Sequence, residues 1–206
     1  MKVIQLIKQL NNTQLGKGGT HDSYVLIPSE LYVGDIFQAA DQTVWFTDPE
    51  MGDRVAVKYT VAREKRLSGL GPYYRRSRLE AGDEIIFEKR IYSSRTEYYV
   101  RTRKHPDRIA FQKARDGFEI LTPERMMTAG LRNGQLEGHL RIIFLKRAKK
   151  QNNSPDTTDF YDIEIEGKSI LGAYSFKDIG LVDIFENTIR IQEFYGWKKN
   201  EFMMEE

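Results

Sequence analysis

The stretch Arg54-Val55-Ala56-Val57-Lys58-Tyr59-Thr60-Val61 decides the fold class. Apolar side chains take every second place, with polar or small ones between, which is the two-residue period of a strand that buries one face. Working outward, similar short runs, alternating or rich in β-branched and aromatic residues, recur at Ser23 to Ile27, Thr43 to Phe46, Glu84 to Ile91, Tyr98 to Arg103, His139 to Lys146, Phe160 to Ile165 and Thr188 to Tyr195. Gly, Asp, Asn and Pro punctuate the intervals, as turns require. Helices are few. The pattern predicts one over Met1 to Leu10, with Val3, Leu6, Ile7 and Leu10 on one face, a helical turn over Pro123 to Ala129 after Thr122, and a short helix over Phe176 to Phe185. Many strands and few helices make the chain mainly β (α+β), and the expected architecture is a barrel or a sandwich.

The 206 residues, 40% of them hydrophobic, are enough to close a core. With no cysteine, disulfides, thiolate metal sites and cysteine nucleophiles are excluded, and three histidines, at 21, 105 and 139, disfavour a multi-histidine metal site. His139 precedes a strand and reads as a surface or turn residue. No run approaches the roughly 18 apolar residues of a membrane span. The opening MKVIQLIKQLNNTQLGKGG lacks a signal-peptide core and a small-residue cleavage site, so the expected location is cytoplasmic, with no membrane partner. A boundary is expected near His105-Pro106-Asp107, where proline ends an alternating strand, giving regions 1–105 and 106–206. Ala148 to Thr158 reads as a long polar hairpin connection or a mobile tip. Tyr195, Trp197, Phe202 and Met203 read as a docked tail or an oligomer contact.

A net charge of +2 hides an uneven distribution. Residues Lys58 to Lys113 hold 15 cations and 7 anions, whereas the chain beyond Asn153 holds 5 and 12. A local excess of eight positive charges is what a phosphate-contacting surface requires. Two polar segments stand out. Asn11 to Ser23, which includes Asn12, Thr13, Lys17, Gly19, Thr20, His21, Asp22 and Ser23, offers amides, hydroxyls and cations to base edges and phosphates. It has neither GxxxxGK[ST] nor GxGxxG, so it is not a nucleotide phosphate loop. Tyr59 to Arg78, with Arg63, Glu64, Lys65, Arg66, Ser68, Tyr73, Tyr74, Arg75, Arg76 and Arg78, interleaves cations with tyrosines and glycines. The expectation there is a hairpin or extended arm, without a helix across Gly69-Leu70-Gly71-Pro72, laid along a nucleic-acid groove.

Asn11-Asn12-Thr13, Gly18-Gly19, His21 and Ile27-Pro28-Ser29 together resemble the NDT…GGH…IPS segment of the EcoRII-type restriction endonuclease N-terminal domain. Arg63-Glu64-Lys65-Arg66-Leu67-Ser68 and Gly71 resemble the second arm of that domain. Leu79-Glu80-Ala81-Gly82-Asp83-Glu84-Ile85-Ile86-Phe87 is similar to a strand common to B3-like pseudobarrels. Over residues 1–105 the resemblance implies an open seven-stranded B3-like pseudobarrel, followed by a smaller β-rich region of uncertain role. It also implies sequence-specific recognition of double-stranded DNA, with arms Asn11 to Tyr24 and Arg63 to Arg78 entering the major groove. Binding of that kind needs no cofactor, and cleavage would then belong to a nuclease or motor domain or subunit outside this chain.

An alternative expectation makes the chain itself a nuclease. Ser154-Pro155-Asp156 followed by Glu166-Gly167-Lys168 matches the PD…(D/E)xK pattern, in which Asp156 and Glu166 would hold Mg²⁺ and Lys168 would position the nucleophile.

Overall fold

The computed structural model describes residues 1–17, 23–128, 135–136, 139–149, 156–185 and 188–205. In chain order the strands of the first half are β1 (Lys2–Gln9), β2 (Val25–Ile27), β3 (Thr43–Thr47), β4 (Arg54–Val61), β5 (Lys65–Ser68), β6 (Glu84–Ile91) and β7 (Thr96–Arg103), with helix α1 (Gly71–Ser77) between β5 and β6. They are followed by β8 (Arg108–Ala114), β9 (Gly117–Ile120), α2 (Pro123–Thr128), β10 (Gln135–Leu136), β11 (Leu140–Lys149), β12 (Thr157–Ile165), β13 (Lys168–Ser169), β14 (Ile179–Phe185), β15 (Thr188–Glu193) and β16 (Trp197–Met203). The protein is mostly β, with a curled open sheet and a few short helices.

The chain divides into two compact units, Met1–Lys104 with Tyr195–Glu206, and His105–Phe194. In the first, the strand order is β16-β1-β6-β7-β3-β4-β5-β2. Every described pairing in this sheet is antiparallel except β3 with β7, which meet in parallel at Thr47 and Tyr99. The sheet curls until its two edge strands are bridged by a side chain: the Trp197 indole Nε1 donates to the Leu26 carbonyl at 3.0 Å. Its core face gathers Leu6, Val57, Leu67, Leu70, Ile85 and Val100 around Phe37, Phe46 and Phe87, whose rings lie 5.4–5.8 Å apart. Trp197 stacks on Phe87 at 6.5 Å.

Two of the expected helices are strands. Met1 to Leu10 forms β1, a central strand between β16 and β6, with Val3, Ile4, Leu6 and Ile7 all buried. A strand buried on both faces loses its alternation, and a short apolar run then shows helical spacing by accident. The second case is β14, which lies between β8 and β15. Gly180 lets that strand run against Phe111, where a Cβ would collide with the ring. The turn before β14 is closed by the Asp178 carboxylate, which accepts from the Ser175 amide at 2.8 Å. The helical turn at Pro123 is α2, but the Thr122 hydroxyl accepts from the Ala110 amide at 2.9 Å, so it ties α2 to β8.

The last dozen residues, grouped by sequence with region 106–206, add β16 to the first sheet, which therefore has eight strands where the resemblance implies seven. The second unit has its own sheet, ordered β10-β11-β12-β9-β8-β14-β15 with β13 beside β12, over Ile109, Phe111, Phe118, Leu140, Ile142, Ile163 and Val182. β11 and β12 pair from Leu140–Ile165 out to Lys149–Thr157, so the polar stretch between them joins a hairpin, as expected; residues 150–155 lie outside the described residues. Among the described residues no helix is long and apolar enough to cross a membrane.

Candidate nucleic-acid interface

The described part of the first polar segment is a compact turn. Asn11 and Gln14 each accept the other's backbone amide on a side-chain oxygen, at 3.0 and 3.1 Å. Leu15 N–H donates to the Asn11 carbonyl, and Lys17 N–H to that of Asn12. Gly16 adopts φ of 74°, a left-handed conformation that lets the turn close. Leu15 packs on the core, while Thr13 and Lys17 are exposed. Gly19, Thr20, His21 and Asp22, expected to contact DNA, lie outside the described residues. Ser23 and Tyr24 then lead into β2.

The second polar segment is part hairpin and part helix. β4 and β5 pair from Lys58–Ser68 to Val61–Lys65, so Arg63 and Glu64 form the exposed tip. After β5, Gly69 at φ of 91° turns the chain, and α1 starts with Pro72 in its first turn, where a missing N–H costs nothing. The expectation that Gly69 to Pro72 excludes a helix is therefore corrected. Tyr73, Tyr74 and Ser77 fall on one face of α1 and are buried at 2%, 3% and 7% exposure. The expectation that these two tyrosines touch nucleic acid is corrected as well, because they are core residues. The Tyr73 hydroxyl donates to Asp48 Oδ2 at 2.9 Å. Burial first, then this carboxylate, raises the Tyr73 hydroxyl well above its ordinary pKa, so it stays a donor. Arg75 and Arg76 are exposed on the opposite side of the helix, and Arg78 is exposed at its C-terminal cap. Arg76 is tied to Asp53 at 2.9 Å.

Strand pairing brings the two segments together. β2 lies antiparallel to β5, with Val25 opposite Leu67, Leu26 opposite Arg66 and Ile27 opposite Lys65. The end of the first segment therefore sits beside the cations of the second, although some forty residues separate them in the chain. The Arg66 guanidinium lies 4.4 Å from the Tyr24 ring centroid and donates from Nη2 to Glu64 Oε2 at 2.6 Å. Gly71 is packed so closely under Ser23 that a Cβ there would collide with the Ser23 hydroxyl. Two stretches of sequence thus meet in a local patch, where Arg66 contacts Tyr24 and Glu64 and Ser23 packs on Gly71.

Folding also sharpens the charge distribution. Around the β6–β7 hairpin three arginines are paired with carboxylates, Arg90 with Glu88, Arg95 with Glu97 and Arg103 with Glu84, and Lys89 donates to the Asp35 carbonyl. Between Lys58 and Arg78 there are seven cations and one acid, Glu64, so the basic excess belongs to β4, β5 and α1. Lys58, just outside the polar segment that begins at Tyr59, is exposed on the outward face of β4 beside this patch. Its alternation with Val57 and Tyr59 is the sequence signal that marks it as outward.

No family model and no curated protein matches the chain. Among solved structures, the N-terminal domain of Helicobacter pylori LlaJI.R1 is similar at a TM-score of 0.34 and 17% identity, over 48% of this chain and 80% of that one.

The alternative nuclease set is not assembled. Asp156 directly precedes β12 and Glu166 directly follows it, so the nine-residue strand holds them apart by roughly 30 Å. Two carboxylates can share a divalent ion only when both reach it at about 2 Å. Glu166 instead sits in the turn to β13 at φ of 50°, with a carboxylate oxygen against His139 Nδ1. That contact gives His139 the turn role expected of it. Lys168 pairs across the same turn with Ile165. Among the described residues there is no group of three or more acidic, histidine or cysteine side chains able to hold a metal.

Proposed function

We propose that the first unit recognises double-stranded DNA by sequence, as the recognition module of a restriction system, and that the nuclease or motor it serves is another domain or subunit. The observation that carries this reading is the β2–β5 pairing, which sets the end of the first polar segment beside the cations of the second. The resemblance of these segments to the arms of the EcoRII-type domain supports it. In this reading the tip of the β4–β5 hairpin enters the major groove. Arg66 and Glu64, paired in the free protein, exchange each other for guanine O6/N7 and the cytosine amino group, a swap of one charge-assisted contact for another. Lys17, Arg63, Lys65, Arg75 and Arg78 contact phosphates, and Asn12, Thr13 and Ser23 offer an amide and two hydroxyls to base edges.

The test is a salt series of duplex binding by fluorescence anisotropy, with the preferred sequence first selected from a random pool. If about six phosphates are neutralised, log K falls against log salt with a slope near −5. A slope close to zero, or a pool that yields no preferred sequence, overturns the reading.

A further inference from the structure

We infer a second nucleic-acid contact on the same unit: the outward face of β3 and β4 is a stacking platform for single-stranded nucleic acid, with Trp45 as the surface on which a base stacks. Trp45, Arg54 and Lys58, which carry it, lie outside the two arms, and the inference stands without the duplex reading.

The register of the sheet defines the face. Core-side positions of β4 are Val55, Val57 and Tyr59, so Arg54, Ala56, Lys58 and Thr60 point away from the core. On β3 the pairing sets Thr43 opposite Lys58, Trp45 opposite Ala56 and Thr47 opposite Arg54. On β5, Ser68 lies opposite Lys58 and Arg66 opposite Thr60. Every charged residue at these outward strand positions is a cation. That is the complement of a polyanion.

The indole is prepared for a flat ligand. Trp45 is 51% exposed in the middle of a strand. Its direct cross-strand neighbour is Ala56, which is too small to cover the ring. The Arg54 guanidinium lies 4.9 Å from the ring centroid and holds the indole in place from a diagonal position. A base stacks on an indole whatever its identity, and cations beside the ring take the adjoining phosphates. An acidic protein surface would satisfy Arg54 and Lys58 but would make no use of the aromatic plane. The other tryptophan is structural, since Trp197 is stacked on Phe87 and bonded to the Leu26 carbonyl. Of the two tryptophans in the chain, Trp45 therefore reports on the platform.

The experiment titrates an oligothymidylate of about twelve nucleotides, within the usual range of single-strand sites, against the full chain while tryptophan emission is followed. The expected result is saturable quenching that salt reverses. Trp45→Ala should weaken oligonucleotide binding roughly ten-fold, measured by anisotropy of a labelled strand, with the melting temperature unchanged. Arg54→Ala should lower the salt slope by about one. Duplex binding is measured on the same proteins. If duplex binding is retained but the oligonucleotide leaves emission unchanged, or binds Trp45→Ala as tightly as the native chain, the platform is overturned and the duplex reading stands. Oligonucleotide binding that depends on Trp45, together with no duplex binding, supports the platform and overturns the duplex reading alone.

Discussion

Lys8 shows how one residue sets a pH dependence. It is 4% exposed on the core side of β1, with its ammonium 5.8 Å from the Trp197 ring centroid. Burial lowers its pKa from 10.5 to about 8. Between pH 8 and 10.5 the unfolded chain holds a proton at this site that the folded chain has released, so stability rises with pH across that window. Below pH 8 both states are protonated and the folded state carries the whole cost, about 3 kcal/mol for a shift of this size. Lys8→Met should therefore stabilise the protein at pH 7, and the difference from the native chain should shrink as pH rises from 8 to 10.5. Urea unfolding at a series of pH values measures this. Arg66 is the corresponding residue for function. Arg66→Ala should cost about 1–3 kcal/mol on the preferred duplex and flatten discrimination among sequences, as loss of a base-edge contact does. An equal loss on preferred and random DNA, read by competition binding, would confine Arg66 to phosphate anchoring.

At the scale of elements, the turn from β5 into α1 decides what the second polar segment is. Gly69 has φ of 91°, and a Cβ there would sit 2.6 Å from the Ala56 carbonyl oxygen on β4. Gly69→Ala therefore meets both backbone strain and a clash with main chain, and should destabilise the unit by on the order of 2 kcal/mol, visible as a lower melting temperature. β3, β4 and α1 are further tied at Asp48, which is buried and accepts from the Glu50 and Met51 amides at 2.8 and 3.1 Å as well as from Tyr73. Sequence composition showed the cations and tyrosines of this segment but not their division. Tyr73 and Tyr74 went inward because α1 places them on the same face as Ser77. The arginines stayed out because the opposite face meets solvent. Strands such as Arg54–Val61 and Glu84–Ile91 were legible to the residue, since each carried apolar runs between clear turn signals. β1 and β14 were not, because both faces of each are largely buried and polar residues do not alternate with apolar ones.

For the whole molecule, the order of the first sheet depends on a contact between the chain's two ends. β16 pairs along β1 from Lys2–Met203 to Lys8–Trp197, and Trp197 reaches the far edge strand at Leu26. Trp197→Ala removes the stack on Phe87 and the bridge between edges, and should cost about 2 kcal/mol or more. Because Leu26 is the neighbour of Arg66 across β2–β5, the same substitution should also weaken duplex binding, which a paired melting and binding series would show. The sequence by itself determined the strand-rich class, the absence of thiol chemistry, the extents of strands with one polar face, and the concentration of cations between Lys58 and Arg78, because these follow from composition and from period-two alternation. Only the tertiary structure decided that β2 lies beside β5, that the tail completes the first sheet, that Tyr73 and Tyr74 are core, and that Asp156 and Glu166 stand at opposite ends of one strand. Each of these depends on pairing between residues distant in the chain, and register across such pairs is set by which faces the whole sheet buries.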